Sequence, residues 1–245
     1  MLNTVSYEGP ATTPLLIAHG LFGSARNWGV IAKRLSGSRP IMAADMRNHG
    51  GSPWYDSNSY EDMADDLAQL ITQPTDVLGH SMGGKAAMVL ALKYPHKVRR
   101  LIVADIAPVT YPHTQMGPLN AMRGVDLAAI ENRADARAAL GDLEPGVADF
   151  LLQSLDIKDR RWRLNLDVLA ADMEKIIGFP DMAGQFDGPV LFLSGAASDY
   201  IQPAHRPAIK ALFPNAQFAK IPGAGHWLHA EKPLEFIAAV TAFLA

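Results

Sequence analysis

The chain has 245 residues, 49% of them apolar and 19% charged, with a formal net charge of −3. That balance suits a globular chain with room for one large domain and excludes a disordered or collagenous one. It lacks the dense basic run of a nucleic-acid surface, any cysteine for a disulfide or thiolate nucleophile, and any apolar stretch long enough to span a bilayer.

In chain order, Met1–Pro10 shows neither a basic segment nor the apolar stretch of a signal peptide. A soluble cytoplasmic protein is therefore the expectation. Leu2–Tyr7 reads as an edge strand. Leu15-Leu16-Ile17-Ala18 is a continuous apolar run, as in a strand buried on both faces of a parallel sheet. It delivers His19-Gly20-Leu21-Phe22-Gly23. A helix is expected over Asn27–Leu35, then a buried strand over Pro40–Ala44 that ends in Asp45-Met46-Arg47-Asn48-His49-Gly50. Tyr60–Ile71 is amphipathic, and Glu61, Asp62, Asp65 and Asp66 are expected on its solvated face.

Thr75–Leu78 is a short apolar strand, and Ala86–Tyr94 is a helix-forming run that stops before Pro95. Between them lies Gly79-His80-Ser81-Met82-Gly83, a G-x-S-x-G pattern. A serine in a tight strand-to-helix turn has a strained backbone and needs small residues two before and two after it. The helix N-terminus beneath it favours developing negative charge. Ser81 is therefore the candidate nucleophile. Val98–Ala104 is a further buried strand, and Asp105 follows it.

From Tyr111 to Asp187 no buried strand is evident. Helical patterns run over Leu119–Ala139, Gly146–Leu155 and Arg163–Ile177, with turn signals at Gly141, Pro145 and Gly178-Phe179-Pro180. This segment carries 8 Lys/Arg and 13 Asp/Glu. It reads as a helical cap, residues 110–187, inserted into an α/β core of residues 1–109 and 188–245. Strands resume at Val190–Leu193 and Gln217–Ile221, with helices near Ala204–Leu212 and over Pro233–Leu244. Strands alternating with helices imply a mostly parallel sheet flanked by helices, with its site at the carboxyl ends of the strands.

Serine becomes a strong nucleophile only when a base takes its proton. His226, in the glycine-rich loop after the last strand, is the candidate base, since the order serine, acid, histidine is that of such a sheet. His229 is its competitor and reads as a helix-start residue. His80 reads as a packing residue, and His19, Arg47 and His49 as braces of their turns. Two backbone N–H donors are needed for an oxyanion. Met82 supplies one and Leu21 the other, with Phe22 as the neighbour that would replace it. For the acid there are two candidates, Asp105 and Asp199. Asp105 follows the strand Val98–Ala104 and Asp199 lies in the loop after Val190–Leu193, where its neighbour Ser198 has no charge to hold an imidazolium.

Five stretches carry a family resemblance: His19–Ser24, Asp45–Gly50, Gly79–Lys85, Asp105–Val109 and Gly223–Pro233, with Arg161–Asn165 as a sixth. Along nearly its whole length the chain resembles the α/β-hydrolase superfamily. More narrowly it resembles the YbfF-type esterases, bacterial relatives of mitochondrial abhydrolase-domain protein 11. Asn48 stands where the superfamily usually has glycine. The resemblance implies a serine esterase or thioesterase acting on a small-molecule ester or thioester, without a cofactor. It also favours Asp105 as the acid, because the Asp-Ile-Ala-Pro stretch is shared within that group. Two other readings stay open: the same fold with different chemistry, as in a C–C bond hydrolase or cofactor-free haloperoxidase, and a ligand-binding protein without turnover. Met116, Met122, Phe150, Trp162 and Phe179 are candidate pocket residues. Lys158, Arg160, Arg161 and Arg163 are candidate partners of an anionic group, against the simpler reading of a solvated helix end.

Overall fold

The computed structural model describes residues 1–144 and 146–245. Its first half alternates strands and helices: β1 (Thr4–Tyr7), β2 (Leu15–Ala18), α1 (Gly29–Leu35), β3 (Ile41–Ala44), α2 (Tyr60–Leu70), β4 (Thr75–His80), α3 (Met82–Lys93) and β5 (Val98–Ala104). A helical segment follows, with α4 (Met116–Arg123), α5 (Arg133–Ala139), α6 (Val147–Leu151), a hairpin of β6 (Leu155–Asp156) and β7 (Arg161–Trp162), α7 (Leu166–Ala171) and α8 (Met173–Ile177). The alternation then resumes with β8 (Val190–Gly195), α9 (Arg206–Leu212), β9 (Ala216–Ile221), α10 (Leu228–Glu231) and α11 (Pro233–Phe243).

Among the described residues, seven strands form one sheet in the order β1-β3-β2-β4-β5-β8-β9. Only β1, at the edge, runs antiparallel, to β3. The apolar runs of β2, β4 and β8 are buried along their whole length, because helices cover both faces. One face packs against α1 and α11, through Trp28, Ile31, Phe236 and Val240. The other packs against α2 and α3, through Met63, Leu67, Met88 and Leu90.

Register decides where the loops emerge. Ala18 pairs with Gly79, His80 with Ala104, Ala104 with Leu193, and Gly195 with Ile221. The carboxyl ends of β2, β4, β5, β8 and β9 therefore share one edge. Backbone bonds extend that alignment into the loops, from Ser81 N–H to Ala104 O (3.0 Å) and from Asp105 N–H to Leu193 O (2.9 Å).

Two sequence expectations need correction, and a third needs a detail added. The long pattern over Leu119–Ala139 is two helices, because Gly124 ends α4 and Asn132 caps α5 by accepting from the Ala134 and Asp135 amides. The segment expected to have no buried strand does carry one short, partly exposed hairpin, β6–β7, of two residues a side. Asp66 is buried and bonded to Arg47 Nε at 2.7 Å, so it faces the Asp45 turn and not solvent. The turn expected at Pro145 lies outside the described residues. No helix among the described residues is long and apolar enough to cross a membrane.

Candidate active site

The sharp turn at Ser81 follows from steric crowding. Ser81 sits at φ 52°, ψ −120° between β4 and α3, a conformation that costs a non-glycine residue on the order of 1–3 kcal/mol. A Cβ at Gly79 would stand 2.2 Å from Gly83 O, and one at Gly83 would stand 2.4 Å from both Ala18 O and His19 O. Both spacings are far inside contact, so only glycine fits at either position.

Three side chains from three strand ends form one hydrogen-bonded line. Ser81 Oγ is 3.1 Å from His226 Nε2, and His226 Nδ1 is 2.7 Å from Asp105 Oδ2. Since the carboxylate only accepts, Nδ1 carries the proton and Nε2 is left to accept from Ser81. Asp105 is fully buried, and its φ of 53° turns the side chain toward the histidine. Its Oδ1 accepts from Gly195 N–H at 3.1 Å, and its Oδ2 also accepts from Ser198 Oγ. Asp199 is exposed and has no hydrogen-bond partner among the described residues. The hydroxyl at Ser198 thus faces the site where a carboxylate after β8 would otherwise stand.

His226 is held from several sides. Its ring stacks on Tyr200, with centroids 3.9 Å apart and an interplanar angle of 18°. Its carbonyl accepts from His80 Nε2 at 2.8 Å, and the loop before it is fixed by Gly225 N–H donating to Glu231 Oε2 at 2.7 Å. Neither the Tyr200 stack nor the His80 bond was legible in the sequence. Tyr200 carries no motif, and His80 read only as packing. Burial, with His229 and His226 beside it, holds His80 well below the usual imidazole range, hence neutral. His229 lies flat against Trp28 at 4.3 Å, lines the cavity with it and is not in the hydrogen-bonded line.

The loop after β2 is braced by two neutral histidines. His19 Nδ1 donates to Gly20 O at 2.8 Å and its Nε2 accepts from Met46 N–H at 2.9 Å. His49 Nδ1 donates to Arg47 O at 2.7 Å and its Nε2 accepts from Phe22 N–H at 3.2 Å. Burial pushes His49 down to about 3, with the neighbouring His19 adding to the shift. Because the Phe22 N–H is taken, Leu21 is the free donor of that turn, with no acceptor among the described residues. Met82 opens α3, so its N–H has no carbonyl one turn earlier in the helix. Asn48 suits its turn in two ways. It tolerates a φ of 64°, and its side chain joins Tyr55 N–H, Ser57 O and Asn165.

Ser81 and His226 open on a cavity of about 680 Å³. Its walls mix site residues with Ile106, Tyr111, Val147, Phe150, Leu151 and Trp227. Of the five expected pocket residues only Phe150 lines it. Met122 and Trp162 are core, with Trp162 Nε1 donating to Met122 O at 2.9 Å, and Phe179 lines a separate shallow cavity. Met116 packs, partly buried, against the core. The four cations do not line the cavity. Arg163 pairs with Asp156, Arg161 with Asp159, and Arg160 donates to Ala128 O, while Lys158 is exposed. Among the described residues no group of three or more His, Asp and Glu side chains is arranged to hold a metal ion.

The chain matches the model of the alpha/beta hydrolase family over residues 15–240. Among similar proteins, the sn-1-specific diacylglycerol lipase ABHD11 of Mus musculus is 43% identical over 255 residues, covering 97% of this chain and 83% of that one. Esterase YbfF of Escherichia coli (strain K12) is 38% identical over 240 residues, covering 95% and 93%. The solved structure of a marine microorganism esterase aligns with a TM-score of 0.93 at 38% identity, covering 99% of this chain and 98% of the other.

Proposed function

The chain belongs to the alpha/beta hydrolase family, and from that premise we propose that it is a serine hydrolase that cleaves carboxylic esters through an acyl-enzyme on Ser81. The observation that carries this reading is the line Ser81–His226–Asp105, with spacings of 3.1 and 2.7 Å, opening on an apolar cavity. In it, His226 Nε2 takes the Ser81 proton as Oγ bonds to the substrate carbonyl carbon. The carbonyl oxygen becomes an oxyanion, which the N–H groups of Leu21 and Met82 receive. The imidazolium then protonates the departing alcohol, and the ester C–O bond breaks. Water repeats the sequence on the acyl-enzyme and releases the carboxylic acid. Asp105 holds the imidazole tautomer throughout. A thioester would follow the same path with a thiol leaving.

In this reading residues 110–187 are a cap over a core of residues 1–109 and 188–245. The relatives named as a lipase and an esterase support ester substrates. An acyl chain fits the apolar part of the wall, formed by Ile106, Val147, Phe150 and Leu151. The decisive experiment is active-site labelling. A fluorophosphonate probe should modify Ser81, and Ser81→Ala should keep the fold yet lower p-nitrophenyl ester hydrolysis by several orders of magnitude. Labelling at another residue, or activity retained in Ser81→Ala, overturns the proposal.

A further inference from the structure

The helix that carries Ser81 also buries a charge that ester cleavage leaves unused. Lys85 lies one turn along α3 and is 1% exposed. Among the described residues no carboxylate pairs with it. Its ammonium instead donates to three backbone carbonyls, Val109 O at 3.0 Å, Ile177 O at 2.8 Å and Gly178 O at 2.5 Å.

Those carbonyls belong to the two places where the chain passes between the sheet and the helical segment. Val109 lies just after β5, on the way out. Ile177 and Gly178 end α8, on the way back. The two crossings touch each other, since Tyr111 N–H donates to Ile177 O at 3.0 Å. Tyr60, at the start of α2, donates its hydroxyl to Ile176 O at 2.5 Å. The ammonium lies 4.8 Å from the ring centroid of Tyr111 and 5.8 Å from that of Tyr60.

A methionine would fill the same volume without desolvating a charge, so packing alone does not account for a lysine here. Burial pushes Lys85 down to about 7. The three carbonyl dipoles and the two ring faces act the other way, in favour of the ammonium. Three donors on one flexible stem can also reach both crossings at once, which no neutral side chain of this size does.

We propose that Lys85 is a positioning residue whose ammonium clamps both crossings onto the nucleophile's helix and so fixes a part of the cavity wall that meets the acyl-chain surface at Ile106. Tyr60, Lys85, Ile106, Tyr111, Ile176 and Ile177 together line that part of the cavity. The inference rests on the ester-hydrolase reading and on the helical segment acting as a cap. The clamp acts on substrates long enough to press on the wall and much less on the chemistry at Ser81.

The test compares p-nitrophenyl acetate with p-nitrophenyl octanoate in wild type and Lys85→Met, together with hydrogen exchange at the Tyr111 amide. The variant should raise KM for octanoate about tenfold or more, lower kcat on acetate less than threefold, and speed Tyr111 exchange about tenfold relative to amides of β4. Lys85→Gln, which keeps two N–H donors on a neutral side chain, should shift both readouts in the same direction by less, and it carries the test if Lys85→Met does not fold. Equal losses of kcat on both esters overturn the proposal, as does an unchanged octanoate KM with Tyr111 exchange still slow. Exchange needs no turnover. If wild type cleaves neither ester, the hydrolase reading fails, while Tyr111 exchange alone still decides the clamp.

Discussion

The strand-end edge and the helical segment are built by different means. At the edge, each loop leaves a strand whose neighbour is fixed in register, so Ser81, Asp105 and His226 meet although they lie far apart in sequence. In the helical segment the helices are short, between 5 and 8 residues, and among the described residues its backbone pairing is limited to the β6–β7 hairpin and one bridge between Leu164 and His49. Elsewhere they are held by core side chains such as Trp162, whose Nε1 donates to Met122 O at 2.9 Å. Under the proposed function, that difference assigns the reaction chemistry to the first region and part of the substrate fit to the second.

The largest expected effect beyond Ser81 itself lies at the acid. Asparagine tolerates a positive φ, so Asp105→Asn keeps the turn while removing the charge. It should lower kcat by roughly 10⁴-fold at neutral pH. Asp199→Asn, on the same edge but exposed, should lower it less than about tenfold, or about 1.4 kcal/mol of barrier. Both variants are checked for folding by circular dichroism. A crippled Asp199→Asn beside an active Asp105→Asn would break the assignment of roles at this edge.

A smaller loss is expected at the oxyanion turn. A Cβ at Gly20 would lie 3.0 Å from His80 Nδ1 and 3.2 Å from Ser81 Cβ. Both neighbours are locked, so the Leu21 turn itself must give by a few tenths of an ångström. Gly20→Ala should lower kcat by about 10²-fold, the scale of one lost oxyanion donor. Steady-state kinetics showing a change only in KM would contradict a donor role for Leu21.

Across the comparison, Phe150 on α6 lines the cavity and lies 5.6 Å from the Trp227 ring. Phe150→Ala should raise KM for an octanoyl ester about tenfold, near 1.4 kcal/mol of lost contact, and change kcat less than about threefold. An acyl-chain-length profile measures the split. A kcat loss as deep as that of Asp105→Asn would erase the distinction between the two regions.

The same difference sets what the sequence revealed. Apolar runs bounded by glycine mark buried strands, and G-x-S-x-G demands a sharp turn, so the edge was legible from residues such as Leu15–Ala18 and Gly79–Gly83. The family motifs in turn pointed to Asp105 over Asp199, because the residues near β8 alone left both open. The interior of the helical segment was not legible. Trp162 and Phe150 are both aromatics in helical or short-strand sequence, and only tertiary packing sends one to the core and the other to the cavity. Asp66 was misread for the same reason, since its partner Arg47 lies 19 residues away on another element.

The smallest effect expected concerns a histidine near the strand-end edge that lies outside the Ser81–His226–Asp105 line. His229 is buried against Trp28, and its Nδ1 has no hydrogen-bond partner among the described residues. Burial, with a smaller contribution from His226, pushes it down to about 3. An unfolded imidazole takes its proton near about 6.5. Between those values the unfolded chain binds a proton that the folded chain refuses, so stability rises with pH there and falls on acidification. At pH 5 the penalty is about 2 kcal/mol, and it vanishes above about pH 7. His229→Phe preserves the stack on Trp28 and the contact with Phe236 while removing both the proton site and the unpaired nitrogen. At pH 8 it should change stability by less than about 1 kcal/mol, as an apolar swap of similar shape. The drop in stability between pH 8 and pH 5, measured by urea unfolding, should shrink by about 2 kcal/mol, while kcat at pH 8 stays within about threefold of wild type. His49 keeps its own penalty in both proteins, so part of the acid sensitivity persists. Parallel losses in wild type and variant would mean that His229 takes up its proton in the folded state as readily as in the unfolded one, and that the buried stack on Trp28 does not exclude the charge.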